Sequence, residues 1–337
     1  MTTLTTTTGA RHTAILGLGA YRPVRVVPNA HVVDAIDSSD EWIQQRSGIK
    51  TRRWAGPEES VQMMSVEASR IAIERAGLDA GQIDCVVVAT ISHLLQTPAV
   101  ATAIAHELGT DHAAAFDISA ACSGFCHGIA LASDLVRAGS AHYVLVVGVE
   151  RLTDILDLTD RGTAFIFADG AGAAVVGPSD TPGIGPVVWG SDGGQFDLIR
   201  QREDWRDVVG SPEAPGSGVM PHLTMQGNPV YRWASFAMAK IGQQALDAAG
   251  ISLDDLDVFV PHQANMRIID TMARTMKLPG SVRIARDVAD QGNTSAASIP
   301  LALDRMMAEG DARSGDTALL IAFGAGLSYA AQVITVP

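Results

Sequence analysis

The sequence has few cysteines and no long apolar run. Its three cysteines, Cys85, Cys122 and Cys126, cannot all pair with one another and form no Cys-x-x-Cys motif, which argues against a disulfide scaffold and a zinc site. No apolar stretch approaches the roughly 20 residues that a membrane-spanning helix needs. Residues 1–9 are threonine-rich and lack the basic start and apolar run of a signal peptide. We therefore expect a soluble, cytoplasmic protein.

Basic residues are also scarce. The chain carries 24 Lys and Arg against 37 Asp and Glu, a net charge of −13, which argues against nucleic acid as the main partner. It contains no Gly-x-Gly-x-x-Gly, no Walker loop and no His-Glu-x-x-His, so nucleotide and zinc chemistry have little support. Residues 17–19 (GLG) resemble the start of a dinucleotide loop, but the following AYRP cannot begin the required helix. We expect no metal and no cofactor.

Along most of the sequence, short apolar runs alternate with amphipathic segments. At 337 residues, with 47% hydrophobic and 18% charged residues, the chain is an ordinary globular protein of about two units. Ser39 or Asp40 is predicted to cap a short helix that contains Trp42 and Arg46. Buried strands are predicted at 14–19, 85–90, 113–118, 143–149 and 258–260, with helices at 65–77, 99–108, 125–138 and 297–307. This pattern predicts an α/β fold whose mostly parallel sheet is covered on both faces.

The second half of the chain repeats the first. Residues 76–78 before 83–87 match 249–251 before 256–260, and the helix near Asp134 is matched by the helix near Asp304. The Gly-Ala-Gly at 170–172 recurs at 324–326 with a shorter offset, which implies an insertion in the first half at about 151–167. We predict a flexible, frayed tail at 1–13 and duplicated halves at 14–185 and 186–337.

Cys122 lies where a buried strand turns into a helix. The unpaired N–H groups of a first helical turn favour a thiolate, so Cys122 is a candidate nucleophile for acyl transfer through a thioester. The repeat places Asn293 opposite Cys122, and His262 follows a strand at the same sheet edge. An imidazole and a carboxamide that donate hydrogen bonds suit an enolate oxygen, and the turn Gly324-Ala325-Gly326 would add an oxyanion-hole N–H.

Each of these residues also has a structural interpretation. Cys122 would then be an inert buried cysteine, His262 a hydrogen-bonded residue at a strand end, and Asn293 a helix N-cap. The glycine turn would be a tight hairpin. The convergence of all four at one predicted edge favours the catalytic interpretation.

The same residues carry a resemblance. The segments 120–125 (AACSGF), 261–265 (PHQAN), 292–298 (GNTSAAS) and 323–327 (FGAGL) resemble signature motifs of the β-ketoacyl-acyl carrier protein synthase III family of the thiolase superfamily. The segment DEWI at 40–43, followed by Arg46 and RR at 52–53, resembles its N-terminal motif. The resemblance implies a homodimer of thiolase-like αβαβα subunits. It also implies condensation of an acyl-CoA primer with malonyl-acyl carrier protein, which releases CoA and carbon dioxide and initiates fatty acid synthesis.

By this resemblance, Cys122 takes the acyl group, and His262 and Asn293 support decarboxylation and condensation. The CoA would contact Trp42, Arg46, Arg161, Gly227 and Asn265, with its adenine between Trp42 and Arg161. The acidic carrier protein would meet Gln263, Arg267 and Arg274, although a solvated helix face is the alternative for Arg274. CoA enters as a substrate, with no membrane or nucleic acid partner.

Thr97 departs from the family pattern. Relatives that use an acetyl primer tend to have a large aromatic residue there, at the end of the acyl pocket. A smaller side chain leaves more room, so we expect a starter longer or more branched than acetyl, such as isobutyryl. A priming synthase of a polyketide pathway and a non-catalytic acyl-CoA-binding relative remain as alternatives.

Overall fold

The structure, a computed structural model, describes residues 4–110, 112–211, 214 and 216–337. In chain order the strands are β1 (His12–Tyr21), β2 (Arg25–Pro28), β3 (Thr51–Trp54), β4 (Cys85–Ala89), β5 (Ala114–Ile118), β6 (Val144–Arg151), β7 (Asp169–Ser179), β8 (Val188–Ser191), β9 (Ile199–Gln201), β10 (Leu223–Met225), β11 (Val258–Pro261), β12 (Arg283–Ile284), β13 (Thr317–Gly324) and β14 (Ser328–Thr335). The α-helices are α1 (Asp40–Ser47), α2 (Val61–Arg75), α3 (Val100–Leu108), α4 (Gly124–Ala138), α5 (Trp205–Val209), α6 (Gly227–Ala249), α7 (Met266–Met276), α8 (Val288–Gln291) and α9 (Ser298–Glu309).

These elements stack in five layers. Helices α2 and α3 cover the outer face of one five-stranded sheet, and α6 packs with α7 on the outer face of the other. Helices α4 and α9 lie between the two sheets, where α4 contacts strands of both. The apolar residues between the sheets come from α4, α9 and strands of both sheets, and include Phe125, Ile129, Ile299 and Leu303. This is the predicted αβαβα arrangement.

The two sheets have the same topology. Their strand orders are β1-β7-β6-β4-β5 and β8-β14-β13-β11-β12 when both are read from the antiparallel edge. In each sheet two pairings are antiparallel and two are parallel, so four of the five strands point the same way. The duplication inferred from the sequence is therefore a property of the fold, and the chain passes from one sheet to the other between Ser179 and Val188.

The predicted insertion lies between β6 and β7. Residues 152–168 connect these strands, whereas the equivalent strands β13 and β14 are joined by the short turn at 325–327. The match of residues 170–172 with residues 324–326, which located the insertion, does not pair structurally equivalent positions. Gly170 pairs with Glu150 inside the β6–β7 ladder, while Gly324 ends β13 at the turn itself.

Local sequence signals explain most helix ends. The Ser39 side chain accepts a hydrogen bond from the Trp42 N–H and caps α1, as predicted. Ser60 caps α2 in the same way, so this helix begins four residues before the predicted start at 65. Among the described residues no helix is both long and apolar enough to cross a membrane.

The N-terminal segment is docked along α4, so the prediction of a flexible tail at 1–13 was wrong for its second half. The Thr7 hydroxyl donates to the Ala138 carbonyl at 2.7 Å, and the Ala10 N–H donates to the Val136 carbonyl. A Cβ atom at Gly9 would lie 2.0 Å from that carbonyl oxygen, so only glycine permits the approach. Residues 1–3 lie outside the described residues.

Candidate active site

A mostly apolar cavity lies between the two halves of the chain. Cys122, His262 and Asn293 all line it, so the structure brings together the three residues that the sequence selected. The rest of the lining comes mainly from the insertion, the two-stranded β9–β10 sheet and the starts of α6 and α7, and the residues are Ile91, Ala121, Leu152, Ile166, Phe167, Ile199, Leu223, Met225, Gly227, Val230, Tyr231, Ala264, Asn265, Ile268, Ser295, Phe323 and Ala325.

Cys122 sits in a single 3-10 turn, Ala121–Ser123, between β5 and α4. Ala121 has a φ of 45°, an uncommon value for a residue with a side chain, and this bend directs the following residue toward the cavity. Gly324 approaches so closely that a Cβ atom there would lie 2.6 Å from the Cys122 nitrogen. The glycine turn at 324–326 is therefore adjacent to the sulfur-bearing residue, and Ala325 lines the cavity.

Burial opposes the thiolate that the helix terminus favours at Cys122. Burial raises the pKa of the Cys122 thiol to about 12, because a charged sulfur would lose its hydration. The nearby Ser295 hydroxyl lowers the pKa of this thiol, but burial outweighs it. At neutral pH Cys122 therefore carries its proton and needs a base before it can attack.

His262 follows β11 and is 2% exposed. Its N–H donates to the Ile321 carbonyl, which fixes the backbone, and its Nδ1 lies 2.7 Å from the Ser298 hydroxyl. That hydroxyl already accepts the Gln263 N–H, so its own hydrogen is available to Nδ1. Burial lowers the pKa of His262 to about 3. The imidazole is therefore neutral, and this hydrogen-bond pattern leaves the proton on Nε2.

Asn293 is held by the insertion of the first half. Its N–H donates to the Ile166 carbonyl, and its carbonyl accepts the Ala168 N–H, so the two segments form a parallel bridge. Its side-chain oxygen accepts the Ser295 N–H at 2.8 Å. The Nδ2 hydrogens of Asn293 are thus left for the cavity, as an enolate-stabilising group requires.

The repeat places the two helix N-termini together, but its register differs from our prediction. The turn Ser295–Ala297 before α9 corresponds to Ala121–Ser123 before α4, and Ser295 has a φ of 49° like Ala121. The position equivalent to Cys122 is therefore Ala296, and Asn293 lies three residues earlier.

A second hollow extends the cavity to the surface. Ile166, Met225, Gly227, Tyr231 and Asn265 line both spaces. The outer opening is formed by the other residues that line the second hollow, namely Trp42, Arg46, Arg161, Gly162, Phe165, Asn228 and Arg267. All five residues predicted to contact CoA thus line one channel that leads to Cys122.

Arginine guanidinium groups surround the indole of Trp42. The Arg161 guanidinium lies 4.8 Å from the ring centroid and that of Arg46 lies 5.5 Å away. A separation of 4.8 Å leaves no room for a third flat group, because stacked rings lie about 3.5–4 Å apart. For an adenine to enter between Trp42 and Arg161, the exposed Arg161 side chain must swing outward.

Comparisons with known proteins agree with this geometry. The family model described as 3-oxoacyl-[acyl-carrier-protein] synthase III matches residues 116–193, and the model of its C-terminal part matches residues 246–336. The chain is 62% identical over 335 residues to β-ketoacyl-[acyl-carrier-protein] synthase III 1 of Streptomyces coelicolor, covering 98% of each chain. The chain belongs to the β-ketoacyl-[acyl-carrier-protein] synthase III family. It is a condensing acyltransferase with the thiolase fold.

Other members of the family are similar along the whole chain. The synthase III of Streptomyces glaucescens is 59% identical over 329 residues, covering 98% of each chain. The crystal structure of the priming β-ketosynthase from the R1128 polyketide biosynthetic pathway superposes with a TM-score of 0.94 at 49% identity, with 98% of each chain covered.

One residue predicted to meet the carrier protein in this synthase is inside the protein. Gln263 is 1% exposed, its Nε2 donates to the Pro261 and Ala285 carbonyls, and its Oε1 accepts the Val288 N–H. It ties β11 to the segment before α8, so the prediction was wrong for Gln263. Arg267 and Arg274 are exposed on α7.

Thr97 does not line the cavity of its own chain. It lies in an exposed loop between β4 and α3, beside Leu94 and Leu95, which are 51% and 63% exposed. Within a single chain of this synthase, Thr97 therefore does not lie at the end of the acyl pocket, where it was predicted.

Sequence reasoning overlooked Ser295 and Glu150. Ser295 lies in the GNTSAAS segment but was interpreted only as part of the motif around Asn293. Glu150 ends the apolar run of β6 and is completely buried. An acidic residue directly after six apolar or glycine positions of a central strand was the available signal.

Proposed function

We propose that Cys122 accepts the primer from acyl-CoA and that His262 and Asn293 then drive decarboxylation of malonyl-acyl carrier protein. In the first step the Cys122 sulfur attacks the thioester carbonyl and CoA departs as a thiol. In the second, loss of carbon dioxide leaves an enolate whose carbon attacks the acyl-Cys122 carbonyl and restores the free cysteine. The observation that carries this proposal is the single cavity lined by all three side chains.

The protonation states suit the second step. A neutral imidazole with its proton on Nε2 and the Nδ2 hydrogens of Asn293 both donate to an oxygen that gains negative charge. A protonated imidazole would be costly to bury here, since its pKa is lowered to about 3. The N–H groups of Cys122 and of the 324–326 turn are proposed to stabilise the tetrahedral oxyanions.

The channel fits a pantetheine arm. Gly227 lines both the cavity and the outer hollow, and a Cβ atom at this position would meet nothing within 4 Å. Asn265 caps α7 through its Oδ1, and its Nδ2 donates to the Arg46 carbonyl, which joins α1 and α7 across the channel. Arg46, Arg161 and Arg267 supply positive charge at the surface for the phosphates of CoA or of a carrier-protein prosthetic group.

We further propose a homodimer in which the loop bearing Thr97 completes the partner's acyl pocket. The exposed Leu94 and Leu95 beside it form an apolar surface that a second copy would cover. A threonine there leaves space for branched starters. Steady-state kinetics tests this: isobutyryl-CoA should be preferred, and a more than tenfold higher kcat/KM for acetyl-CoA would contradict the proposal.

Intact-mass measurement tests the function itself. Incubation with isobutyryl-CoA is expected to add one acyl group to the wild-type chain and none to Cys122→Ala. A wild-type chain that gains no mass from any of acetyl-, isobutyryl- and longer acyl-CoA would overturn the proposed function.

The similarity to the priming ketosynthase favours a second candidate, initiation of a polyketide instead of a fatty acid. Both pathways would use the same cavity and the same chemistry. The ratio of kcat/KM for malonyl groups on the fatty acid carrier protein and on a polyketide carrier protein separates the two candidates. We expect the fatty acid carrier protein to be preferred, because the synthases of the two Streptomyces species are more similar to this chain than the priming ketosynthase is.

A further inference from the structure

A carboxyl group is buried directly behind the cavity. Glu150, near the end of β6, is 0% exposed. Its Oε2 accepts hydrogen bonds from the Ser92 hydroxyl at 2.6 Å, from the Ile91 N–H at 3.1 Å and from the Thr90 hydroxyl at 3.3 Å. These donors fix one oxygen of the carboxyl group and leave Oε1 directed elsewhere.

Ser295 connects the other oxygen to the nucleophile. Its hydroxyl donates to Glu150 Oε1 at 3.0 Å, and the turn that holds Ser295 packs against the turn that holds Cys122. The serine is 1% exposed and lines the cavity, and its N–H is held by Asn293 Oδ1. The hydroxyl therefore lies between the Glu150 carboxyl group and the turn that bears the Cys122 thiol, and its oxygen is left to accept a proton because its own hydrogen points to Glu150.

Acylation needs a proton acceptor that the other cavity residues do not supply. The thiol carries its proton at neutral pH, because burial raises its pKa to about 12. His262 is a poor base, since burial lowers its pKa to about 3 and its hydrogen bond to Ser298 leaves the proton on Nε2. Burial raises the pKa of Glu150 to about 7, which suits a base that loads and unloads a proton near neutral pH.

We propose that Glu150 is the base of the acylation step and acts through the Ser295 hydroxyl. This inference rests on the proposed role of Cys122 as the acyl acceptor. As the sulfur attacks the thioester carbonyl, its S–H bond breaks and the proton passes to Ser295 Oγ, while the Ser295 hydroxyl proton passes to Glu150 Oε1. When the C–S bond to CoA breaks, the proton returns along the same path to the departing sulfur, so no other co-reactant is needed.

Among the groups that surround Glu150, Cys122 is the titratable one whose charge would affect the carboxyl group. The groups that face it are Thr90, Ile91 and Ser92 after β4, and Ser295 before α9. Cys122 faces it from the turn before α4, and its negative form would repel the carboxylate. The neighbouring guanidinium of Arg151 pairs with Asp154 at 3.2 Å.

Asp169 offers a matched control. It is also fully buried in the first half, and burial raises its pKa to about 6. Its carboxyl group accepts the Ala55 and Thr153 N–H groups and the Thr153 hydroxyl, which are structural contacts outside the cavity. Loss of its charge should affect folding but not proton transfer from Cys122.

The test is the pre-steady-state rate of acylation by isobutyryl-CoA as a function of pH, measured for wild type, Glu150→Gln, Ser295→Ala and Asp169→Asn. A glutamine would place its oxygen at the Ile91 N–H and its amide nitrogen toward Ser295, so it cannot take the proton. Wild type and Asp169→Asn should rise to a plateau above about pH 7. Glu150→Gln should be about 100-fold slower at that pH and lack this inflection.

Ser295→Ala provides a second test if Glu150→Gln fails to fold. This variant should fold, because alanine tolerates the φ of 49° as well as serine does. It should lose the same inflection, and the double variant should be no slower than either single one. A Glu150→Gln or Ser295→Ala profile that keeps the wild-type inflection and rate overturns the inference, as does additive loss in the double variant. If wild type takes no acyl group, the proposed function fails instead.

Discussion

The two halves of the chain share a topology but differ at equivalent positions. The turn before α4 presents Ala121 and Cys122, and the turn before α9 presents Ser295 and Ala296. Both turns begin with a residue of positive φ, at 45° and 49°. The first half therefore supplies the sulfur. The second half supplies the Ser295 hydroxyl, with Asn293 two residues earlier and His262 directly after β11.

This difference shows how a duplicated scaffold becomes an asymmetric site. The insertion at 152–168 has no counterpart in the second half, where 325–327 is a short turn. The insertion forms one wall of the cavity and holds the Asn293 backbone, while the short turn brings Gly324 against Cys122. Each half thus positions the chemical group that the other half provides.

The largest expected effect comes from moving the sulfur between the halves. Cys122→Ala should abolish acyl transfer, and adding Ala296→Cys should not restore it. Ala296 is 1% exposed and packs against Gly148 and Gly124, so a sulfur there cannot reach a substrate. Intact mass after incubation with isobutyryl-CoA checks both variants, and an adduct on the double variant would show that the two turns are interchangeable.

Blocking the channel should have the next largest effect. Gly227→Phe should lower kcat/KM for acyl-CoA by about 100-fold, because its side chain would enter the open space where the thioester arm must pass. Gly81→Phe is the control in the first half, since a side chain there also meets nothing within 4 Å and the residue lines neither hollow. Equal activity of the two variants would argue against this entry route.

A smaller effect concerns stability and pH. The pKa of His262 is lowered to about 3 in the folded state, so the unfolded chain binds the extra proton between about pH 3 and 6.5 and stability falls as pH drops through this range. Relative to pH 7.5, wild type should lose about 2 kcal/mol at pH 5 from this group, and His262→Asn should lack that loss. Urea unfolding of both proteins at the two pH values measures the difference, and equal pH dependence would contradict a buried neutral imidazole.

The smallest effect is expected on α7. Arg267→Ala and Arg274→Ala should each raise KM for malonyl-acyl carrier protein roughly 2–5-fold at low salt, with kcat little changed, because exposed charges mainly assist encounter. Arg70→Ala on α2 of the first half is the control, with an arginine that is also exposed. Insensitivity of KM to all three changes would place the carrier protein elsewhere.

Much of the site was predictable because its main residues follow strands or precede helices within recognisable motifs. Cys122, His262 and Asn293 were identified in this way, and so was the doubled α/β architecture. The link from Ser295 to Glu150 was not, since it joins residues 145 positions apart. The burial of Gln263 was also hidden, because a polar residue after a strand normally indicates an exposed loop.

Two further expectations left out contacts of the folded chain. The expectation of a Cys122 thiolate counted the helix terminus but not burial, which raises the thiol pKa to about 12. The tail was interpreted as frayed because a threonine-rich composition does not reveal that Gly9 fits against the Val136 carbonyl. Both depend on contacts that exist only once the layers are assembled.

The most direct test of the division of labour between the halves is acyl incorporation into the Asn293→Ala variant. Intact mass after incubation with isobutyryl-CoA should show one acyl group per chain, as in wild type, even though the variant releases little carbon dioxide from malonyl-acyl carrier protein. A variant that takes no acyl group, or that condenses at the wild-type rate, would contradict the assignment of decarboxylation to the second half.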